Sequence, residues 1–281
     1  VRIGVFDSGI GGLTVLRALQ AVWPGHSTLY LGDTARVPYG SKSPETVARY
    51  ARQNAMFLLE QGIELLVIAC NTASAYAVEE LSATLPIPVV GVIEPGAAAV
   101  SDYLAALPVE RAAQAVVGVI GTGGMISSGA YERALHAHRP GLKILTRACP
   151  LFVPLVEDGW ESSPVARTVA ETYLHDWLPL PDACSQARVP VPEAIVLGCT
   201  HYPVLRPMLS ALFGPRVTLI DSAETTARAL APYLAHAPRE AAPQRRLIVT
   251  DGAPGFAIIA SRLLDHMPLE LEIADIGTVV A

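Results

Sequence analysis

Short unbroken apolar runs, each closed by glycine or small polar residues, alternate along the chain with longer stretches of helical periodicity. Residues 2–6, 27–31, 65–69, 89–92, 115–120, 143–146, 194–197, 217–220, 246–250 and 269–273 read as strands. Most show no in/out alternation, as expected of strands covered on both faces. Between them, Leu13, Leu16 and Leu19 share one helical face. Ser43-Pro44-Glu45 supplies an N-cap, a proline at N1 and an acidic first turn for a helix that Gly62 stops. Further helices are predicted over about 73–85, from 97, over 151–158, 164–177 and 203–213, and from 222, with 179–192 as a loop. This alternation predicts an α/β fold of parallel sheets with crossover helices.

One grammar occurs twice. Val196-Leu197-Gly198 ends an apolar run, and Cys199-Thr200-His201-Tyr202-Pro203 follows. Residues 65–69 form an earlier run, followed by Cys70-Asn71-Thr72. Each unit comes after a strand with a Gly-rich turn: Asp7-Ser8-Gly9-Ile10-Gly11-Gly12 in the first half and Gly121-Thr122-Gly123-Gly124 in the second. The halves therefore predict two similar parallel-sheet α/β domains with pseudo-two-fold symmetry, facing each other across a cleft. Ligands of open α/β sheets bind at the carboxyl ends of strands. Both cysteines fall at such ends, so the two thiols would flank one ligand. Each is expected at a helix N-terminus, where the backbone field favours thiolate.

Composition narrows the function classes. Of 281 residues, 51% are hydrophobic and 16% charged, enough for two domains with large cores. The net charge of −6 argues against a nucleic-acid surface. No apolar run has the length of a membrane helix, and no secretory leader is read at the start. The four cysteines, Cys70, Cys149, Cys184 and Cys199, form no C-x-x-C pair, so reduced thiols in a cytosolic chain are expected. Cys149 and Cys184 read as small core residues, and Glu157 as a helix-surface carboxylate.

Two thiols on opposite sides of a ligand suit inversion at a carbon bearing an acidic hydrogen. One sulfur, as thiolate, removes the proton from one face, and the other, as thiol, returns one to the opposite face. His201 could hold or relay the proton of Cys199. Asp7 is the natural counterpart for Cys70. Asn71, Thr72 and Thr200 supply donors for a carboxylate. Pyridoxal phosphate would need a Schiff-base lysine. The chain has only Lys42, in a Ser-Lys-Ser turn, and Lys143, at a strand start. With no His/Asp/Glu cluster at metal-ligand spacing, cofactor-free and metal-free chemistry is expected.

Six stretches together resemble the glutamate racemases of the aspartate/glutamate racemase superfamily. They are residues 3–12, 33–40, 69–74, 121–131, 149–157 and 197–203, in the family's order. The resemblance implies interconversion of L- and D-glutamate, supplying D-glutamate for peptidoglycan. It implies acid/base roles for Cys70 and Cys199, supported by Asp7 and His201. Asp7, Ser8, Pro38, Tyr39, Gly40, Asn71, Thr72, Thr122, Thr200 and His201 would meet the substrate. It implies a homodimer, and a discontinuous first domain of residues 1–96 with 208–281 around a second of 97–207. Met125 stands where relatives often carry a second threonine.

Three other readings compete. A sister racemase or isomerase of the same superfamily would act on aspartate or another α-acidic carboxylate. A two-domain binding protein would need no thiols. A Cys–His hydrolase would need only Cys199 with His201, and would tolerate loss of Cys70.

Overall fold

The computed structural model describes residues 1–179, 190–252, 255–264 and 271–276, so Cys184 and most of the expected 179–192 loop lie outside the described residues. In chain order the strands are β1 (Arg2–Asp7), β2 (Ser27–Gly32), β3 (Leu65–Ile68), β4 (Val89–Gly91), β5 (Val116–Gly121), β6 (Lys143–Ala148), β7 (Ala194–Gly198), β8 (Thr218–Asp221), β9 (Arg245–Val249) and β10 (Leu271–Ile273). They form two all-parallel sheets, of order β10-β9-β2-β1-β3-β4 and β6-β5-β7-β8. The order β2-β1-β3-β4 is repeated as β6-β5-β7-β8. The two sheets are the similar halves expected from the repeated grammar.

The apolar runs lack alternation because both faces of each sheet are covered. In β1, Ile3 and Val5 enter one core with Leu13, Leu16 and Leu19, while Phe6 enters the core on the other face. In β7, Ile195 and Leu197 pack toward Phe152 and Tyr202, and Ala194 and Val196 toward Tyr131 and Leu135. A run that must satisfy two cores carries apolar residues throughout.

The expected return to the first domain at residue 208 is too early. β8 pairs with β7, and Leu209 and Phe213 of the preceding helix pack in the core of the second sheet. Only after Asp221 do strands β9 and β10 join the first sheet. An apolar strand does not declare from its sequence which of two sheets it joins.

The helices differ in places as well. The helix expected from 97 spans Ile93–Ala105. Pro95 lies in its first turn, where backbone N–H groups have no intrahelical partner and a proline removes nothing. Helices Gly123–Ser127 and Ala130–His138 follow β5 where the sequence showed a Gly-rich turn.

Candidate active site

Parallel pairing sets the two halves in register at the site. Phe6 pairs with Ile68, which puts Ser8 and Cys70 level just beyond the strand ends. Gly121 pairs with Gly198, which puts Thr122 and Cys199 in the equivalent places. Cys70 caps the helix Asn71–Thr84, its Sγ accepting from the Ala73 amide at 3.4 Å and lying 3.7 Å from Ser8 Oγ. Thr122 caps helix Gly123–Ser127, its Oγ1 accepting from the Met125 amide at 3.3 Å.

The sheets meet through these ends. Thr72 Oγ1 and Thr122 Oγ1 are 3.0 Å apart. Thr14 Oγ1 donates to the Thr200 carbonyl at 2.9 Å, and Thr200 Oγ1 donates to Asp7 Oδ1 at 3.4 Å. Glycine permits the approach at Gly40, where an added Cβ would stand 2.7 Å from Thr122 Cβ. Between the halves lies a cleft of about 500 Å³, within the usual range for a small ligand. Both Cys70 and Cys199 line it.

Of the other expected residues, Ser8, Pro38, Tyr39, Gly40 and Asn71 line the cleft from the first half, with Thr72. Thr122, Thr200 and His201 line it from the second. Asp7 does not. It is fully buried behind the wall, with Oδ2 accepting from the Gly9 amide at 3.1 Å.

The Tyr39 hydroxyl is engaged by other side chains. The hydroxyl donates to Asp33 Oδ2 and accepts from Asn54 Nδ2 at 3.0 Å. Asp33 is itself fully buried, and Arg36 Nε and Thr250 Oγ1 also donate to it. The Tyr39 hydroxyl is thus tied away from the cleft, while Val37 and Pro38 of the same loop line it.

The thiols stand in unlike surroundings. Burial, with the Asp7 carboxyl adding to it, pushes the Cys70 thiol up to about 12. The helix N-terminus does not offset this, contrary to the sequence expectation. Cys199 is not at an α-helix N-terminus at all. A 3-10 turn, Tyr202–Leu205, follows it, and the helix Arg206–Phe213 comes later. Its polar neighbour is His201, with Nδ1 3.7 Å from Sγ. Burial opposes charging of His201, but its hydrogen bonds to Cys199 and Glu157 outweigh that and raise its pKa to about 10. His201 Nε2 stands 3.0 Å from Glu157 Oε1. Glu157 therefore belongs to the cleft wall and is not a plain surface carboxylate. Asp7 is raised by burial, with His201 opposing.

Sequence reasoning also missed the apolar side of the cleft, Val37 together with Pro150, Val153 and Pro154. The stretch 149–157 was visible as a motif, but nothing local showed that its helix faced the thiols. Cys149 is buried with its thiol pushed up to about 12 by that burial, in keeping with a core role. Among the described residues no three His, Cys, Asp or Glu side chains are grouped to hold a metal ion, and no helix is long and apolar enough to cross a membrane.

Known proteins are similar to this chain in sequence and fold. A sequence model described as Asp/Glu/Hydantoin racemase matches residues 13–230. A glutamate racemase of Geobacter metallireducens is 48% identical over 266 residues, covering 93% of this chain and 92% of that protein. The structure of glutamate racemase from Thermus thermophilus superposes with a TM-score of 0.81 at 40% identity, covering 99% and 98% of the two chains. That from Francisella tularensis, in complex with D-glutamate, gives 0.84 at 33% identity over 99% and 98%. An aspartate racemase from Picrophilus torridus shares the fold at 0.57 and 16% identity. The chain belongs to the Asp/Glu/hydantoin racemase family, among its glutamate racemases.

Proposed function

We propose that the protein interconverts L- and D-glutamate without a cofactor, Cys70 and Cys199 exchanging the α-proton on opposite faces of the substrate. The observation that carries this reading is the pair of thiols at equivalent strand ends of two similar sheets, lining one cleft. The relatives' shared name supports glutamate as the substrate.

In one direction the Cys199 thiolate takes the α-proton. The Cα–H bond breaks, an S–H bond forms, and the electron pair stays on Cα. The Cys70 thiol then gives its proton to the opposite face and is left as thiolate. Protons balance and the configuration inverts. The reverse direction exchanges the roles. The family resemblance pairs Cys199 with L-glutamate and Cys70 with D-glutamate. The unequal surroundings support this starting point: burial holds Cys70 as thiol, and His201, charged at neutral pH, supplies the cation that a thiolate needs beside it. Asp7 and His201 are the respective proton partners.

The helix N-terminus at Asn71, with Thr72 and Thr200, would receive the α-carboxylate. Ser8 and the backbone of Tyr39 and Gly40 would receive the distal one. Aspartate, shorter by one methylene, would leave these donors unpaired. The expected setting is the cytosol, where D-glutamate would enter peptidoglycan, and the expected assembly is a homodimer.

The test is racemisation by purified protein. Glutamate of either hand should be racemised in the presence of a chelator, and aspartate at least ~100-fold more slowly. Cys70→Ser and Cys199→Ser should each lower turnover by at least ~10²-fold, the lower end of what positioned acid/base groups contribute. Comparable turnover of aspartate would contradict the substrate assignment. Retained racemisation without Cys70 would favour a one-thiol mechanism.

A further inference from the structure

Tyr131 touches both thiol-bearing strand ends, although it is not part of the cleft wall. It lies in the helix Ala130–His138 and is fully buried. Its ring edge rests on Gly198, the residue before Cys199: an added Cβ there would stand 3.2 Å from Tyr131 Cε2. Its hydroxyl reaches over Gly96 and donates to Oδ1 of Asn71, the residue after Cys70, at 3.0 Å. Asn71 is 3% exposed and lines the cleft, and its Nδ2 is buried without a partner among the described residues.

A side-chain amide can offer a hydroxyl either its oxygen or its nitrogen. If Nδ2 faced Tyr131, the phenol would accept, and its own buried proton would need another acceptor. Burial pushes the phenol's pKa up, so that proton stays in place. Donation to Oδ1 satisfies the phenol and leaves Nδ2 as the amide's free donor. A buried donor without an acceptor is costly unless a ligand supplies one.

We propose that Tyr131 is a positioning residue for the racemisation: it fixes the Asn71 amide so that Nδ2 donates to a carboxylate oxygen of the bound substrate. The contact crosses from the second sheet's helix to the first sheet's, so the donor is set only when the two halves are docked. This inference rests on the glutamate reading above.

The experiment compares wild type, Tyr131→Phe, Asn71→Ala and the double variant, with glutamate as substrate. Tyr131→Phe should raise KM for both enantiomers roughly tenfold, with kcat changed by less than about threefold. In the Asn71→Ala background, adding Tyr131→Phe should change KM by less than about twofold, because its route to the substrate is already gone. As a readout independent of turnover, the Asn71 side-chain amide resonances, identified by their loss in Asn71→Ala, should shift on adding D-glutamate to wild type and shift less in Tyr131→Phe. An unchanged KM in Tyr131→Phe, an effect that persists in full in the double variant, a loss confined to kcat, or an amide that ignores D-glutamate would each overturn the proposal. If wild type neither binds nor racemises glutamate, the functional reading falls with it. If wild type is active and Tyr131→Phe matches it, only the role of Tyr131 falls.

Discussion

Glu157→Gln isolates one of the two contacts that hold His201 charged. Its Oε1 lies 3.0 Å from Nε2, and its side chain is 40% exposed while that of His201 is 8% exposed. A hydrogen bond to a charged group is worth roughly 1.5–3 kcal/mol, and solvent screening of a carboxylate this exposed reduces it to about 1 kcal/mol. That corresponds to a fall of roughly 0.7 pH unit from the wild-type value of about 10. The fall is read directly by NMR titration of the His201 imidazole. In the proposed mechanism the alkaline limb of kcat/KM for L-glutamate should move to lower pH by a similar amount. Stability carries the same signature. A histidine raised in the folded state contributes its full stabilisation below its ordinary value of 6.5, and loses it as pH rises through about 10. The variant should therefore melt roughly 2 °C below wild type near pH 6, with the deficit closing as pH approaches 10. An unmoved His201 titration, or a deficit that grows with pH, would refute the reasoning.

Two further outcomes follow from the cleft wall. Tyr39→Phe removes a buried hydroxyl shared by Asp33 and Asn54, so denaturant melts should show a loss of about 1–3 kcal/mol while KM for glutamate stays within about threefold; a tenfold rise in KM with unchanged stability would put the phenol on the substrate instead. Gly40→Ala would drive a methyl to 2.7 Å from Thr122 Cβ, so the cleft must widen and KM should rise by at least tenfold, about 1.4 kcal/mol, with little change in melting temperature; wild-type kinetics would show that the close approach of the two halves is not needed for binding.

The sheets were legible because each central strand is an apolar run that serves two cores, and because strand, Gly-rich turn, strand and cysteine recur in the same order. The register then carries Ser8 level with Cys70 and Thr122 level with Cys199, a match that neither half reveals alone. The sheet joined by β8 was not legible, since Leu219 and Ile220 would suit either core. Glu157 looked like a surface group because its partner, His201, lies 44 residues further along the chain. Tyr39 sits on a loop that lines the cleft, yet a buried carboxylate, Asp33, draws its hydroxyl the other way. The local grammar around Cys70 favoured a thiolate, but burial acts on the whole side chain and exceeds the field of one helix end. The helix Val109–Gln114 buries none of its residues, and so left no apolar stripe to read.

The central claim is that each thiol serves one face of the substrate. Racemisation in deuterated water, started separately from L- and D-glutamate and sampled in the first few per cent of turnover, tests it most directly. Two separate acid/base groups predict that product of either hand carries deuterium at Cα while recovered substrate retains protium. Deuterium appearing in unreacted substrate as fast as in product, from either starting enantiomer, would mean one base serving both faces and would contradict the assignment of Cys70 and Cys199.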